Sequence, residues 1–332
     1  MSHSPPDPAP NPAVPDAVPD AAVPTSAVPD SAAAAEWATR AFVDHRELLF
    51  SVVYTMLGSV ADTEDVLQET WLAWHTRSRA SGGEPIANPR AYLVRVAVNG
   101  ALARQASISR RREEYVGPWL PEPIATAPDA GAGDAAHGVL RAESVSMALL
   151  VVLETLSPLE RAVFVLHEVF GYSHPETAAA LGRSTSAIRQ LAHRAREHVH
   201  ARRPRYEADS RVRRQVTERF IAAVTGGDIQ ALIQVLSPDV TLWADGGGKA
   251  RAAGPRPLRG RDRIARLIVG DAARHPIPGL TVRYQYVNGD PSAVLLSGGA
   301  VHAVVVLDLT ADGTQVSGIY TVTNPEKLSH LG

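Results

Sequence analysis

The chain has 332 residues and no cysteine, which excludes disulfide staples and thiolate metal sites. Lysine is nearly as scarce: of 33 lysines and arginines, 31 are Arg, and the only lysines are Lys249 and Lys327. No apolar run approaches the length of a membrane-spanning helix. The first residues lack both the basic start and the apolar core of a secretion signal. These absences lead us to expect a cytoplasmic protein with no membrane partner. Net charge is only −2, so any case for a polyanionic partner must come from where the charges lie rather than from their sum.

They lie unevenly. Met1 to Ala34 holds four Asp and neither Lys nor Arg, and Pro and Ala dominate it. We read 1–35 as a disordered tail, because it has too few large side chains to build a core. Between Arg183 and Arg219, by contrast, eleven Arg face four acidic residues. That basic block coincides with a helix-turn-helix pattern. Pro175 to Leu181 forms a short Ala-rich helix and Gly182 a tight turn, and Ser184 or Thr185 caps a second helix. Ile188, Leu191, Ala195 and Val199 recur at helical spacing and form its buried face. Ser186, Arg189, Gln190, His193, Arg194 and Glu197 face outward. Arg189 suits the paired acceptors of guanine and Gln190 those of adenine, while Arg183 and Ser184 lie nearer phosphates. The alternative for this segment is a solvated helical hairpin.

Residues 36–106 are helical throughout. Phe42, Leu49, Val53 and Leu57 form one stripe, ended by Gly58. In ADTEDVLQETWLAWH, Asp62 is a candidate cap and Val66, Leu67, Thr70, Trp71 and Trp74 form the inner side. Asp65, Gln68, Glu69 and Leu72 remain outside. Asn88-Pro89 begins another helix, which presents Arg90, Arg95, Asn99 and Arg104. Tyr92, the one aromatic of that helix as far as Gln105, reads as a core residue. A Pro- and Gly-rich linker, 107–138, carries the aromatic patch YVGPWLPEP at 115–123 before the helix-turn-helix unit of 139–204.

DTEDVLQETWLAWH, then NPRAYLVRVAVN, then a helix-turn-helix opened by LSPLERAVFVL resembles the extracytoplasmic-function (ECF, group 4) sigma factors of bacterial RNA polymerase. The order and spacing of the three segments carry the resemblance. It implies two all-α domains, a region 2 bundle and a region 4 helix-turn-helix. It further implies that core RNA polymerase is the partner, with Asp62, Asp65, Gln68 and Glu69 on the β′ coiled coil and region 4 on the β flap. Promoter DNA would be read at −35 by Arg183, Ser184, Ser186, Arg189, Gln190, His193 and Arg194. The −10 element would be read by Arg90, Arg95, Asn99 and Arg104, beside a loop from His75 to Ala87 that captures an unstacked base. No metal, cofactor or catalytic residue is implied.

The chain continues well beyond such a factor. Val212, Val216, Phe220 and Val224 mark a helix, and Ile229 to Leu236 another, stopped by Ser237-Pro238. Strand patterns follow at 240–243, 280–286, 293–297 and 301–309, and Asp312-Gly313 turns the last into TQVSGIYTV. Helices followed by an antiparallel sheet make 211–332 an α+β domain resembling the SnoaL-like, NTF2-like cone. The two lysines fall in DGGGK (Asp245, Gly246, Gly247, Gly248, Lys249) and NPEKL (Asn324, Pro325, Glu326, Lys327, Leu328). With the linker patch, these motifs resemble the ECF41 subgroup, whose extension regulates the factor in cis without a separate anti-sigma protein. The resemblance makes both motifs, with Tyr115 and Trp119, regulatory contacts, and Lys249 or Asp245 is expected to pair with Glu122 or Arg112. The rival reading is a helix-turn-helix protein fused to an NTF2-like enzyme or small-molecule receptor. Its acid or base would come from Asp245, Asp262, His302 or Asp308.

Overall fold

The computed structural model describes residues 31–79, 86–126, 145–201, 209–250 and 254–331. The tail up to residue 30, residues 80–85 of the expected −10 loop and the linker beyond Thr126 lie outside the described residues. Four helices come first: α1 (Ser31–Val43), α2 (Arg46–Leu57), α3 (Val60–Arg79) and α4 (Pro89–Glu113). Three boundaries differ from expectation. Helix α1 starts inside the expected tail, α3 runs through His75 to Arg79, and α4 continues past Gln105 to Glu113. The cap of α3 also moves: Ser59 Oγ accepts the Asp62 N–H at 3.3 Å, which leaves the Asp62 carboxylate free for other partners. Asn88 caps α4 as expected, accepting the Ala91 N–H at 2.9 Å.

The second helical unit comprises α5 (Met147–Leu153), α6 (Pro158–Phe164), a π turn over Val165–Val169, α7 (His174–Leu181) and α8 (Thr185–His200). Capping boxes at Ser157/Glu160 and Ser173/Glu176 start α6 and α7. Gly182, at φ 62°, ends α7. The two units share one core, in which Leu49, Val53, Trp74 and Leu93 join Val163, Ile188 and Leu191. Tyr92 packs half-buried against Trp74, its ring centroid 5.6 Å away.

In the C-terminal domain α9 (Ser210–Thr225) and α10 (Ile229–Val235) precede β2 (Leu236–Asp245), β3 (Leu258–Arg259), α11 (Arg261–Arg274), β4 (Leu280–Val287), β5 (Asp290–Ser297), β6 (Ala300–Leu309) and β7 (Val316–Val322). Ser237-Pro238 therefore opens a strand rather than merely stopping a helix. Helix α11 interrupts the expected run of strands, and β2 pairs with β7 in parallel, so the sheet is mixed rather than antiparallel. The β4–β5 turn is Asn288-Gly289, with both φ angles positive at 51° and 73°, as a two-residue hairpin turn requires.

The sheet has seven strands because the linker supplies one. β1 (Ala125–Thr126) pairs antiparallel with the edge of β4 and completes the order β1-β4-β5-β6-β7-β2-β3. One face of the sheet packs on α9, α10 and α11 through Val216, Phe220, Leu232, Ile264, Val305 and Leu307. The opposite face, Val287, Val294, Val304, Val306, Tyr320 and Val322, is covered by Leu120 of the linker, Met147 and Ala148 of α5, and Leu328 and Leu331 of the chain end. The C-terminal domain thus has no complete core of its own on this side. Leu120 is fully buried there, so Leu120→Ala is expected to lower stability by about 2–5 kcal/mol in urea unfolding.

Candidate nucleic-acid interface and its internal clamp

Helix α8 carries the basic face. Ser184 caps it by accepting the Ala187 N–H at 3.3 Å, and Ile188, Leu191, Ala195 and Val199 are buried. Arg183, Ser184, Ser186, Arg189, Gln190, His193 and Arg194 are all exposed along one side. Two of them have loose internal partners, Arg194 with Glu160 at 3.6 Å and His193 with Glu197 at 3.6 Å. The Ser184 and Ser186 hydroxyls lie 3.1 Å apart, and Arg183, Arg189 and Gln190 are exposed to solvent.

The four expected −10 residues are not equivalent. Asn99 donates to the Ala180 carbonyl of α7 at 3.1 Å, and the Arg90 guanidinium lies 5.4 Å from the Tyr172 ring centroid. The helix-turn-helix unit therefore lies against this stretch of α4. Arg95 stays exposed beside Tyr92. Arg104 is a correction. It points to the acidic helix, bonding Asp62 at 3.1 Å and Glu69 at 3.1 Å and pairing with Asp65. These acids sit at i, i+3 and i+7 of α3, one stripe of the helix, so a single fork spans them. Arg111 adds a bond to Asp62 at 2.7 Å. Asp62 is buried, whereas Asp65, Gln68 and Glu69 remain exposed.

The linker, the glycine loop and the chain end meet at Asp245. This last residue of β2 is fully buried and accepts from Tyr115 Oη, from the Leu120 N–H at 2.8 Å and from Lys327 Nζ at 2.7 Å. Its own carbonyl accepts the Thr323 and Asn324 N–H groups at 2.8 and 3.0 Å. Asn324 Nδ2 donates to Tyr115 Oη at 2.8 Å, so both motifs grip the same tyrosine. Burial, and then the neighbouring Asp245, push the Tyr115 phenol above its ordinary range. Burial pushes the Lys327 ammonium down to about 8, with Asp245 pulling the other way. The expected pairing of Lys249 or Asp245 with Glu122 or Arg112 is not found: Lys249 pairs with Glu326, and Asp245 with Lys327.

Glycine is needed in this loop for space as well as for conformation. A Cβ on Gly247, at φ 59°, would come within 2.8 Å of Tyr115 Oη, and one on Gly248 within 3.1 Å of Val116. Among the NPEKL residues, Asn324, Lys327 and Leu328 are buried and Pro325 and Glu326 exposed.

Sequence reasoning missed a second junction. Tyr54 of α2 donates to the Glu122 carbonyl at 2.5 Å and accepts from Asn288 Nδ2 at 2.7 Å. The Glu122 carboxylate in turn accepts the Val60 N–H at 2.8 Å, at the start of α3. Arg112, Glu154 and Arg161 form a third link, from α4 to the start of the helix-turn-helix unit. The Asn-Gly dipeptide at 288–289 signals a hairpin, but nothing in sequence announces that its Asn reaches a tyrosine in another domain. The expected enzyme candidates do not form a constellation: His302 and Asp262 are exposed, and Asp245 is committed to the clamp. Among the described residues no group of His, Asp or Glu has metal-site geometry, and no helix is long and apolar enough to cross a membrane.

Comparison with known proteins agrees with this arrangement. Residues 41–111 match Sigma-70 region 2 and residues 146–199 match Sigma-70 region 4. The chain is 38% identical to the ECF RNA polymerase sigma factor SigJ of Mycobacterium tuberculosis over 86% of its own length and 91% of that protein. It is 33% identical to a probable ECF sigma factor, SigI, of the same organism over 86% and 93%. The crystal structure of SigJ matches with a TM-score of 0.65, covering 89% of this chain and 98% of that one. Both promoter-reading units and the appended domain are present in one order and along nearly the whole chain, and the protein belongs to the ECF RNA polymerase sigma factors.

Proposed function

We propose that this sigma factor, which directs transcription initiation by RNA polymerase, is held in a closed form by its own C-terminal domain. The observation that carries this reading is the Asp245–Lys327 pair. It is buried, and it fastens the linker between the two promoter-reading units to the extension. In the open factor, α8 reads the −35 element through Arg189, Gln190 and His193, with Arg183, Ser184, Ser186 and Arg194 on adjacent phosphates and bases. Arg90, Arg95 and Asn99 serve the −10 element, and this requires α7 to leave α4. Asp65, Gln68 and Glu69 face the polymerase β′ coiled coil, and region 4 faces the β flap. Arg104 belongs with the acidic face rather than with DNA. A clamp within the chain takes the place of a separate anti-sigma protein, and the extension performs no chemistry. The domains of this reading are a tail at 1–35, region 2 at 36–106, a linker at 107–138, region 4 at 139–204 and the regulatory domain at 211–332.

Four outcomes test this. Gly247→Ala is expected to push Asn324 and Tyr115 off the loop and raise transcription from the cognate promoter at least several-fold over wild type. Deletion from Arg211 onward also changes that transcription, and unchanged output from both proteins rejects the clamp. Arg189→Ala is expected to weaken −35 binding by about 1–3 kcal/mol while leaving affinity for core polymerase intact, measured with the polymerase complex on promoter DNA. Asp65→Asn combined with Glu69→Gln should weaken core polymerase binding in a salt-dependent way.

A further inference from the structure

Lys327 is held by more than its ion pair. Its Nζ lies 3.4 Å from the centroid of the Trp119 ring and 4.9 Å from that of Tyr115. It also donates to the Leu120 carbonyl at 2.6 Å and to Asp245 Oδ2 at 2.7 Å. The two rings meet edge to face, 69° apart with centroids at 4.7 Å, and form two walls of a corner. The Trp119 indole N–H is buried without a hydrogen-bond partner, so this residue contributes its ring face rather than its polar edge. On the same ring, the Arg112 guanidinium lies 5.0 Å from the centroid. Ring faces, a carboxylate and a carbonyl converging on one ammonium are the recognition chemistry of organic cations.

The walls and the occupant come from different parts of the chain. Tyr115, Trp119 and Leu120 belong to the linker and Asp245 to β2, whereas the ammonium alone arrives from the turn at 324–328. Withdrawing it would leave a fully buried carboxylate without its counter-ion, so the walls retain a demand for a cation.

We propose that this box is a binding site for primary alkylammonium cations, that the Lys327 side chain is its built-in occupant, and that a free alkylammonium enters when that side chain is absent. The chemistry explains why a lysine stands here in a chain whose other cations are almost all Arg. A planar guanidinium would bring five donors to a corner that offers one carboxylate oxygen and one carbonyl, leaving most of them without an acceptor. The proposal deepens the clamp reading of the previous section, and its test reads binding rather than transcription.

The test uses the full-length protein with Lys327→Ala, titrated with n-propylammonium chloride, which replaces the atoms removed beyond Cβ, against sodium chloride at equal ionic strength. The expected result is a saturable rise of several degrees in the unfolding temperature of the variant, by mass action on the folded state. Wild type, whose box is filled, should show little or no such rise. Lys327→Ala combined with Trp119→Ala should lose the effect. If Lys327→Ala does not fold alone, the same titration reads recovery of its near-ultraviolet circular dichroism. No saturable shift or recovery, or an equal shift in wild type or the double variant, overturns the proposal. Clamp variants that change transcription without any propylammonium effect would reject the box and leave the regulatory reading standing.

Discussion

A carboxylate removed from water is tolerated only where other groups replace its hydration, and Asp245 is removed completely. Its replacements are a phenol and a backbone N–H from the linker and an ammonium from the chain end. Three segments distant in sequence must therefore arrive together before the charge is satisfied. The other local features serve that meeting. The glycines of the 245–249 loop let Asn324 and Tyr115 approach, the short turn at 325–327 aims Lys327 inward, and Leu120 seats the linker against the sheet. The arrangement is cooperative because none of these contacts is complete without the others.

The helical part was largely legible in the sequence because its signals are local. Periodicity placed Ile188, Leu191, Ala195 and Val199 inside, and Gly182 and Ser184 set the turn and cap of the helix-turn-helix. Arg104 shows where local reasoning stops. In sequence its polar character groups it with Arg95 and Asn99, although nine residues from Arg95 set it half a turn away, on the other side of α4. Only the packing of α3 against α4 shows that it meets a stripe of carboxylates. Asp62 was misread for a related reason. Its sequence position suits a cap, but Ser59 fills that role and the carboxylate turns to Arg104 and Arg111.

The appended domain was legible in outline and less so in pairing. Alternating apolar residues marked the strands, yet the parallel partnership of β2 with β7 and the insertion of α11 depend on long-range packing that no window of sequence contains. The two lysines drew attention by their rarity to two motifs that the structure brings into contact. Their partners differ from expectation because Asp245 is not a loop residue. It is instead the last residue of a strand, whose carbonyl and carboxylate are both fixed.

The pairing of β1 with the β4 edge has a kinetic side. A regulator that travels on the same chain as its target meets it at an effective concentration set by the tether, of order mM for short connections, rather than by expression level. A two-residue strand offers little to a separate protein, but here its pairing with β4 is made within one chain. Opening of the proposed clamp would then be a first-order event, independent of how many copies the cell contains, with reclosing fast unless polymerase occupies the released surfaces first. Under the proposed clamp, the factor's output is set by competition between an intramolecular rate and polymerase supply, a form of control that titration by a soluble inhibitor does not provide.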